Sequence, residues 1–356
     1  MRPVGTISHS RPTLEAQDAR AVARSVRSGW PAQGGRVEQF ERRVAAFVGL
    51  RGGVAVNSGT AALKLALLAL GVKRGDEVIL PSYVCAAPWL AVRQIGAVPK
   101  LVDIEPDSYA IDPARAKKAL TRRTRAIIVP HLFGLPADLT HLQSLHVPLV
   151  EDCAQTLGAR ERGRRVGCVG AAAVCSFYAT KLLCTGEGGM LLSGKSVLLE
   201  KARVLREYDE EPILVPDSFN RKMSDLQAAL GLSQLRRLRK FLQRRRAIAA
   251  MYGKALPDAG VKLPVVPKGR THCFYRYVIR LQDGRQNMLE KVIARLDRRG
   301  VHCRRPVFMP LHRYLNLKGF PESDEAHRTA LSLPIYPSMT DRMVRRVITV
   351  LREELA

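Results

Sequence analysis

Two predicted strands enclose a glycine-rich turn in AVCSFYATKLLCTGEGGMLL, residues 173–192. The first strand covers residues 173–177 and the second covers residues 190–192, because both are short apolar runs. Lys181 stands between the first strand and the turn at residues 185–189. A lysine that is shielded from water loses its proton readily and can bond to an aldehyde. The ordinary alternative is one more surface lysine in a chain rich in lysine and arginine.

The rest of the N-terminal half repeats this alternation of short apolar runs with helical patterns. Helical periodicity covers residues 60–70, 86–94 and 113–120, and an earlier helical pattern stops before Gly49. Such alternation is typical of a mostly parallel sheet covered by helices. We therefore expect an α/β fold with a seven-stranded sheet, whose other five strands are residues 54–56, 77–80, 99–103, 126–129 and 148–151.

The C-terminal third has a different pattern. A long helical pattern covers residues 223–256 and contains one early glycine, Gly231. One strand-like run at residues 274–281 and two helices at residues 288–299 and 341–354 follow it. We predict a large α/β domain with an N-terminal arm (residues 1–222), a connecting helix (223–256) and a small α+β domain (257–356).

The composition narrows the class of protein. Hydrophobic residues make up 46% and charged residues 25% of the 356 residues, as in ordinary folded proteins. The sequence has neither a signal-peptide pattern nor an apolar run long enough for a bilayer, so we expect a cytoplasmic protein without membrane partners. The seven cysteines show no C-x-x-C spacing, which predicts neither a disulfide framework nor a metal site.

The net charge of +26 favours anionic partners. The arginines form clusters at residues 122–125, 160–165 and 236–246, without a basic tail or interleaved aromatic residues. We interpret most of this charge as solvated helix faces. A phosphate-bearing small substrate ranks second, and nucleic acid is a distant third.

Two further segments bring polar groups to the ends of predicted strands. Ser58-Gly59-Thr60 opens a helix, where unpaired N–H groups and the helix dipole bind anions, although the same residues also serve as a plain helix cap. Asp152 ends another strand, either facing a ligand at the sheet edge or lying in a solvated turn. The ordered set of anion site, carboxylate, hydroxyl, lysine and glycine turn favours a cofactor site.

With these segments in order, the chain resembles the DegT/DnrJ/StrS family of sugar aminotransferases that use pyridoxal 5′-phosphate (PLP). The family lies within the fold-type-I aspartate aminotransferase superfamily, so the resemblance implies a fold-type-I PLP-dependent transferase. The resemblance extends from roughly residue 29 to the C-terminus. It rests on residues 75–82, 131–134, 151–155, 176–181, 220, 223–231, 310–312 and 331–337.

The resemblance implies two catalytic residues. Lys181 matches the lysine that bears the cofactor as a Schiff base and moves a proton between substrate and cofactor. Asp152 matches the acid that pairs with the protonated pyridine nitrogen and keeps the ring an electron sink.

It also implies the residues around the cofactor. Gln155 matches a side chain near the ring face, and Cys85 stands where the family often has a stacking aromatic residue. The phosphate would contact Gly59, Thr60 and Ser176, together with Asn220 from the neighbouring subunit. The ordinary alternative for Asn220 is a cap of the long helix that follows, within its own subunit. His131 and His312 fit family motifs, and for both we expect a structural or substrate-lining role.

The implied reaction transfers an amino group, with glutamate as donor, to the keto group of a nucleotide-linked sugar. The implied assembly is a homodimer with shared active sites and no metal. The family's usual Asn-Tyr-Arg-Met reads Asn220-Arg-Lys-Met223 here, which places cations near the expected entrance. The family's PLP-dependent sugar dehydratases have a histidine in place of this lysine, so Lys181 favours transamination. The alternatives are dehydration, epimerisation or transamination of a cyclitol ketone on the same scaffold, and a non-catalytic PLP-binding regulatory protein.

Overall fold

The computed structural model describes residues 5–208, 215–282 and 288–355. Its helices are α1 (Ala16–Arg27), α2 (Gly35–Val48), α3 (Gly59–Ala69), α4 (Ala87–Gln94), α5 (Pro113–Lys118), α6 (Thr140–Gln143), α7 (Ser196–Arg206), α8 (Asp225–Ala255), α9 (Leu289–Arg298), α10 (Leu311–Tyr314), α11 (Pro321–Thr329) and α12 (Asp341–Leu355). Its strands are β1 (Gly52–Val56), β2 (Glu77–Pro81), β3 (Val98–Val102), β4 (Thr124–Pro130), β5 (Leu149–Asp152), β6 (Arg160–Glu161), β7 (Arg164–Arg165), β8 (Ala172–Ser176), β9 (Gly189–Ser193), β10 (Val261–Lys262), β11 (Arg270–Thr271), β12 (Tyr277–Leu281) and β13 (Ala330–Leu333).

The main sheet has seven strands in the order β1-β9-β8-β5-β4-β2-β3. Strands β3, β2, β4, β5 and β8 pair in parallel, and β9 runs antiparallel to both β8 and β1. Six of the seven strands therefore point in one direction. The predicted α/β fold with a mostly parallel seven-stranded sheet is confirmed.

Helices cover both faces of this sheet, which explains the continuous apolar runs of its strands. Every residue of β2 is buried, and α3 buries Leu63, Leu65 and Leu67 against the sheet. Burial of each such side chain stabilises the fold by about 1.5–3 kcal/mol. The sheet is consequently a rigid base for the loops at its edges.

A second core lies around the three-stranded sheet β10-β12-β13. Helices α9 and α12 pack there through Leu296, Val347 and Leu351, which are fully buried. The predicted strand at 274–281 begins at Tyr277 instead, since Phe274 has a left-handed φ of 48° and cannot continue a strand. Strands β10 and β13, and the small sheet β11-β6-β7, were absent from the prediction.

The long helix α8 connects the two cores. Its N-cap is Ser224, whose hydroxyl accepts a hydrogen bond from the Gln227 N–H in a capping box. Gly231 is required inside it, because a Cβ at this position would lie 2.7 Å from the Phe40 ring. No helix of the described ranges is long and apolar enough to cross a membrane.

Candidate active site

The carboxyl ends of β1, β5 and β8 meet at one edge of the main sheet. Gly189, at the start of β9, pairs with Val56 of β1 on one side and with Ser176 of β8 on the other. Asp152 of β5 is level with Val174 of β8. Parallel topology therefore brings Ser58, Asp152 and Ser176 to one crevice, the place where α/β sheets bind ligands.

The N-terminus of α3 forms an anion-binding site at this edge. The Ser58 hydroxyl accepts a hydrogen bond from the Ala61 N–H at 3.1 Å. Gly59 and Thr60 lie in the first helical turn, where N–H groups lack intrahelical acceptors. A Cβ on Gly59 would lie 2.8 Å from the Cβ of Ser176 and 3.2 Å from its Oγ, so the Ser176 hydroxyl borders the same N-terminus. These donors fit a phosphate group.

The glycine-rich turn packs directly against this anion site. A Cβ on Gly189 would lie 2.2 Å from the Ser58 carbonyl oxygen and 2.6 Å from the Gly59 nitrogen. The Thr185 N–H donates to the Phe177 carbonyl at 2.8 Å, which closes the loop that carries Lys181. The turn therefore fixes the position of Lys181 relative to the helix N-terminus.

Asp152 is a buried carboxylate near Lys181. Its Oδ1 accepts a hydrogen bond from the Ala154 N–H at 3.0 Å. Burial raises the pKa of Asp152, and the hydrogen bond from the Ala154 N–H and the charge of Lys181 offset this only partly. A buried carboxylate with a raised pKa is stabilised by an added cation, so Asp152 suits the protonated pyridine nitrogen of PLP as a hydrogen-bond acceptor.

Cys85 and Gln155 border the same crevice. Cys85 is accessible to solvent, although protein atoms lie close around its thiol. This surrounding protein raises its pKa, and the Lys181 charge partly counters the effect. The Gln155 Oε1 accepts a hydrogen bond from the Phe133 N–H at 2.8 Å, which orients the half-buried side chain. The roles predicted for both residues toward the cofactor stay predictions.

His131 belongs to a buried hydrogen-bond network. Its Nδ1 accepts from the Ala137 N–H at 3.0 Å, so Nε2 carries the proton and donates to Glu151 at 3.0 Å. The same carboxylate accepts from the N–H groups of Gly167, Val169 and Gly170. Both ring nitrogens of His131 make hydrogen bonds within the fold, so the geometry favours a structural role over a substrate-lining role.

Cys153 lies close enough to His131 and Glu151 to form a possible metal-ligand group. Burial raises the pKa of the Cys153 thiol well above its usual range. The Glu151 oxygens already accept four hydrogen bonds. These three residues therefore form a buried hydrogen-bonded cluster.

His312 joins α10 to the sheet edge. Its Nδ1 lies 2.7 Å from the Ser82 Oγ and its Nε2 lies 3.2 Å from Asp324 Oδ1, while the ring stacks on Phe320 at 4.7 Å. The ring is 2% exposed. These contacts also favour the structural role for His312.

Asn220 is exposed and lies beside the anion site of its own chain. Its Oδ1 accepts a hydrogen bond from the Lys222 N–H at 3.2 Å, and the Arg221 carbonyl accepts from the Asn57 N–H at 2.8 Å. The alternative that Asn220 caps α8 is wrong, because Ser224 is the N-cap.

The cation expected at position 221 does not face an entrance. Arg221 is buried and donates hydrogen bonds to the carbonyl oxygens of Leu205 and Asp217. Its guanidinium thus donates its hydrogen bonds to backbone carbonyl oxygens of the same chain. Lys222 forms an ion pair with Glu207.

Tyr275 is a site residue that the sequence prediction missed. Lys181 Nζ lies 5.0 Å from the centroid of its ring, and the side chain of Thr180 hydrogen-bonds to it. The segment that carries Tyr275 follows α8 in the sequence, far from Lys181, and a tyrosine at this position does not by itself indicate a site residue. Only the long-range packing brings it to Lys181.

Comparisons with known proteins agree with this geometry. The model of the DegT/DnrJ/EryC1/StrS aminotransferase family matches residues 12–352. GDP-perosamine synthase of Caulobacter vibrioides is 33% identical over 100% of both chains. The dTDP-3-amino-3,4,6-trideoxy-alpha-D-glucose transaminase of Streptomyces venezuelae is 36% identical over 96% of this chain and 92% of its own. The solved PLP form of Spr1654 from Streptococcus pneumoniae is 25% identical over 98% of each chain, with a TM-score of 0.92.

Proposed function

We propose, from the premise that this chain belongs to the DegT/DnrJ/EryC1/StrS aminotransferase family, that it aminates the keto group of a nucleotide-linked sugar with glutamate as donor. The chain is an aminotransferase, and its cofactor is PLP. The observation that carries the proposal is the convergence of the α3 N-terminus, Asp152, Ser176 and Lys181 at one sheet edge. Two relatives whose names specify GDP-linked and dTDP-linked amino sugars support the substrate class.

Each residue of this set has a distinct task. The first-turn N–H groups of Gly59 and Thr60 and the Ser176 hydroxyl would bind the phosphate, while the Asp152 carboxylate would bind the pyridine nitrogen. Bound PLP supplies an electron sink for charge that develops at the substrate carbon. Lys181 would hold the cofactor covalently and then move a proton at that carbon.

Amino transfer is tested with purified protein, ¹⁵N-labelled glutamate and a panel of nucleotide-linked keto sugars. The expected product is a ¹⁵N-amino sugar, detected by mass spectrometry, together with 2-oxoglutarate. Loss of water from the sugar or inversion at a ring carbon, without incorporated ¹⁵N, would support the other PLP reactions instead. Absence of turnover with every acceptor, although the donor converts the cofactor, would contradict the proposed acceptor class.

We also propose a homodimer in which Asn220 reaches the phosphate of the neighbouring subunit. Asn220 lies on a surface with three exposed aromatic residues, Trp30, Tyr208 and Phe219, which are 60%, 51% and 66% exposed. Exposed aromatic groups of this kind mark protein interfaces. Trp30 donates to the Gln33 carbonyl, and Gln33 donates to Glu207, so this surface is held together by its own hydrogen bonds.

Mixed dimers test this sharing. Lys181→Ala removes the cofactor lysine, and Asn220→Asp keeps the oxygen that accepts from the Lys222 N–H but repels phosphate. If Asn220 acts across the interface, an isolated dimer of the two variants contains one intact site and one doubly damaged site, and regains activity. If Asn220 acts within its own chain, no site is intact. A confirmed mixed dimer without activity above either parent would refute the sharing.

Three finer points stay proposals. They are the cytoplasmic location, the division at residues 222 and 256, and the contact of Cys85 with the cofactor ring. The position of Cys85 near Lys181 and Asp152 supports the last of these.

A further inference from the structure

Tyr275 has a position that the proposed chemistry does not yet use. The ring is 7% exposed and lies with its centroid 5.0 Å from Lys181 Nζ. The Arg276 guanidinium lies 5.2 Å from the same centroid. An aromatic ring within about 6 Å of an ammonium group attracts it through the ring quadrupole.

The backbone around Tyr275 is held from two directions. The Cys273 N–H donates to the Gly134 carbonyl at 2.9 Å, and the Arg276 N–H donates to the Phe133 carbonyl at 3.0 Å. From α8, the buried Arg245 donates to the carbonyl oxygens of Phe274 and Tyr275 at 3.1 and 3.2 Å. The backbone that carries the ring therefore cannot move away from Lys181 without breaking several hydrogen bonds.

Close backbone packing adds a further constraint. A Cβ on Gly134 would lie 2.8 Å from the nitrogen atoms of both Phe274 and Tyr275. Phe133, the residue before this glycine, donates its N–H to Gln155 at the cofactor crevice. The Tyr275 segment is thus tied to the same loops that form the crevice.

The electrostatic surroundings of the phenol agree with this placement. Burial alone would raise the pKa of Tyr275, but the charges of Lys181, Arg276 and Arg245 and the hydrogen bond with Thr180 lower the pKa to about 8. Lys181 makes the largest of the lowering contributions. This direction agrees with the short distance between the two side chains.

We propose that Tyr275 is a positioning residue for Lys181: its ring holds the lysine amine in the orientation from which it bonds to the cofactor. The inference rests on the proposed role of Lys181. Arg245 fixes the backbone of Tyr275 from α8. The ring face, and not the hydroxyl, makes the contact with the amine.

The test measures cofactor attachment to the full-length protein after its cofactor has been removed. Wild type, Tyr275→Met, Tyr275→Leu and Tyr275→Phe are mixed with saturating PLP, and the visible absorbance gives the attachment rate. Borohydride reduction and peptide mapping then identify the modified lysine. Phe274→Leu is the matched control, because it removes a ring from the adjacent position, where the ring stacks on His272.

Loss of the ring is expected to slow attachment roughly 2- to 30-fold, because the lysine side chain regains rotamer freedom and reaches the bonding orientation less often. Tyr275→Phe and Phe274→Leu are expected to stay close to the wild-type rate. Thermal denaturation identifies a variant that fails to fold, and the second ring-less variant then provides the comparison. A wild-type rate in the ring-less variants, or a Phe variant as slow as they are, overturns the inference. A pyridoxyl label on another lysine of the wild type overturns the proposed function as well.

Discussion

Gly59→Ala perturbs the anion site at its narrowest point. The added Cβ would lie 2.8 Å from the Ser176 Cβ, a separation that real Cβ atoms essentially never show. Alanine itself suits a helix, and Gly59 has no positive φ, so helix formation is not the difficulty. Either the start of α3 or Ser176 must move, and both are expected to donate hydrogen bonds to the phosphate.

The magnitude follows from the loss of one such donor. A hydrogen bond to a charged group contributes about 1.5–3 kcal/mol. Loss of one bond therefore weakens cofactor binding about 10- to 160-fold. Overpacking also destabilises the fold by about 1–3 kcal/mol. The two effects are separable, because affinity and the free energy of unfolding are measured independently.

Binding is measured by titrating cofactor-free protein with pyridoxamine phosphate, which cannot attach covalently to a lysine. Gly35→Ala is the matched control. Gly35 is likewise the first residue of a helix, although its N-cap is Gly34, and a Cβ there would meet nothing within 4 Å. It is expected to bind as wild type does. Wild-type affinity in Gly59→Ala would refute the assignment of this helix N-terminus to the phosphate.

Three other predictions concern Lys181, Asp152 and the buried carboxylate of Glu151. Borohydride reduction of the yellow protein is expected to place the pyridoxyl group on Lys181, and a label elsewhere would contradict the assignment. Asp152→Asn keeps the shape but removes the charge, so it should slow the half-reaction with glutamate more than it weakens cofactor binding; an unchanged rate with saturating PLP would exclude this role. Burial alone would raise the pKa of Glu151, but hydrogen bonds from His131 and backbone N–H groups lower it overall, so its stabilising effect is lost as pH falls through the lowered pKa. Glu151→Gln should lower the melting temperature near neutral pH and flatten its decline in acid, and an equally steep decline would contradict this.

The seven strands of the main sheet were predictable because each is a local apolar run. Strands buried on both faces need no polar alternation, so runs such as residues 77–80 and 126–129 stand out from their surroundings. Four of the five missed strands, β6, β7, β10 and β11, have two residues each. Such short strands exist only because tertiary packing brings a partner beside them, and no local pattern records that partner.

The site residues also divide into those that the sequence predicts and one that it does not. Ser58, Asp152 and Lys181 come shortly after predicted strands and Ser176 lies within one, so the parallel topology was enough to bring them together. The contact of Tyr275 with Lys181 depends on hydrogen bonds between the segment before β12 and the loop after β4. Residue type and spacing contain no information about those bonds. The structure alone therefore adds Tyr275 to the site.

The net charge describes the surface poorly, because it counts buried arginines together with exposed ones. Arg206, Arg221 and Arg245 are all buried, although nothing in their local sequence separates them from surface arginines. Arg206 binds Glu41, Glu207 and the Ala55 carbonyl, while the other two donate mainly to backbone carbonyls. A guanidinium suits this task because it presents five donors in a rigid plane and stays charged when buried. Some of the arginines that contribute to the +26 charge therefore donate to backbone carbonyls inside the chain. One of them, Arg245, holds the segment that brings Tyr275 to Lys181.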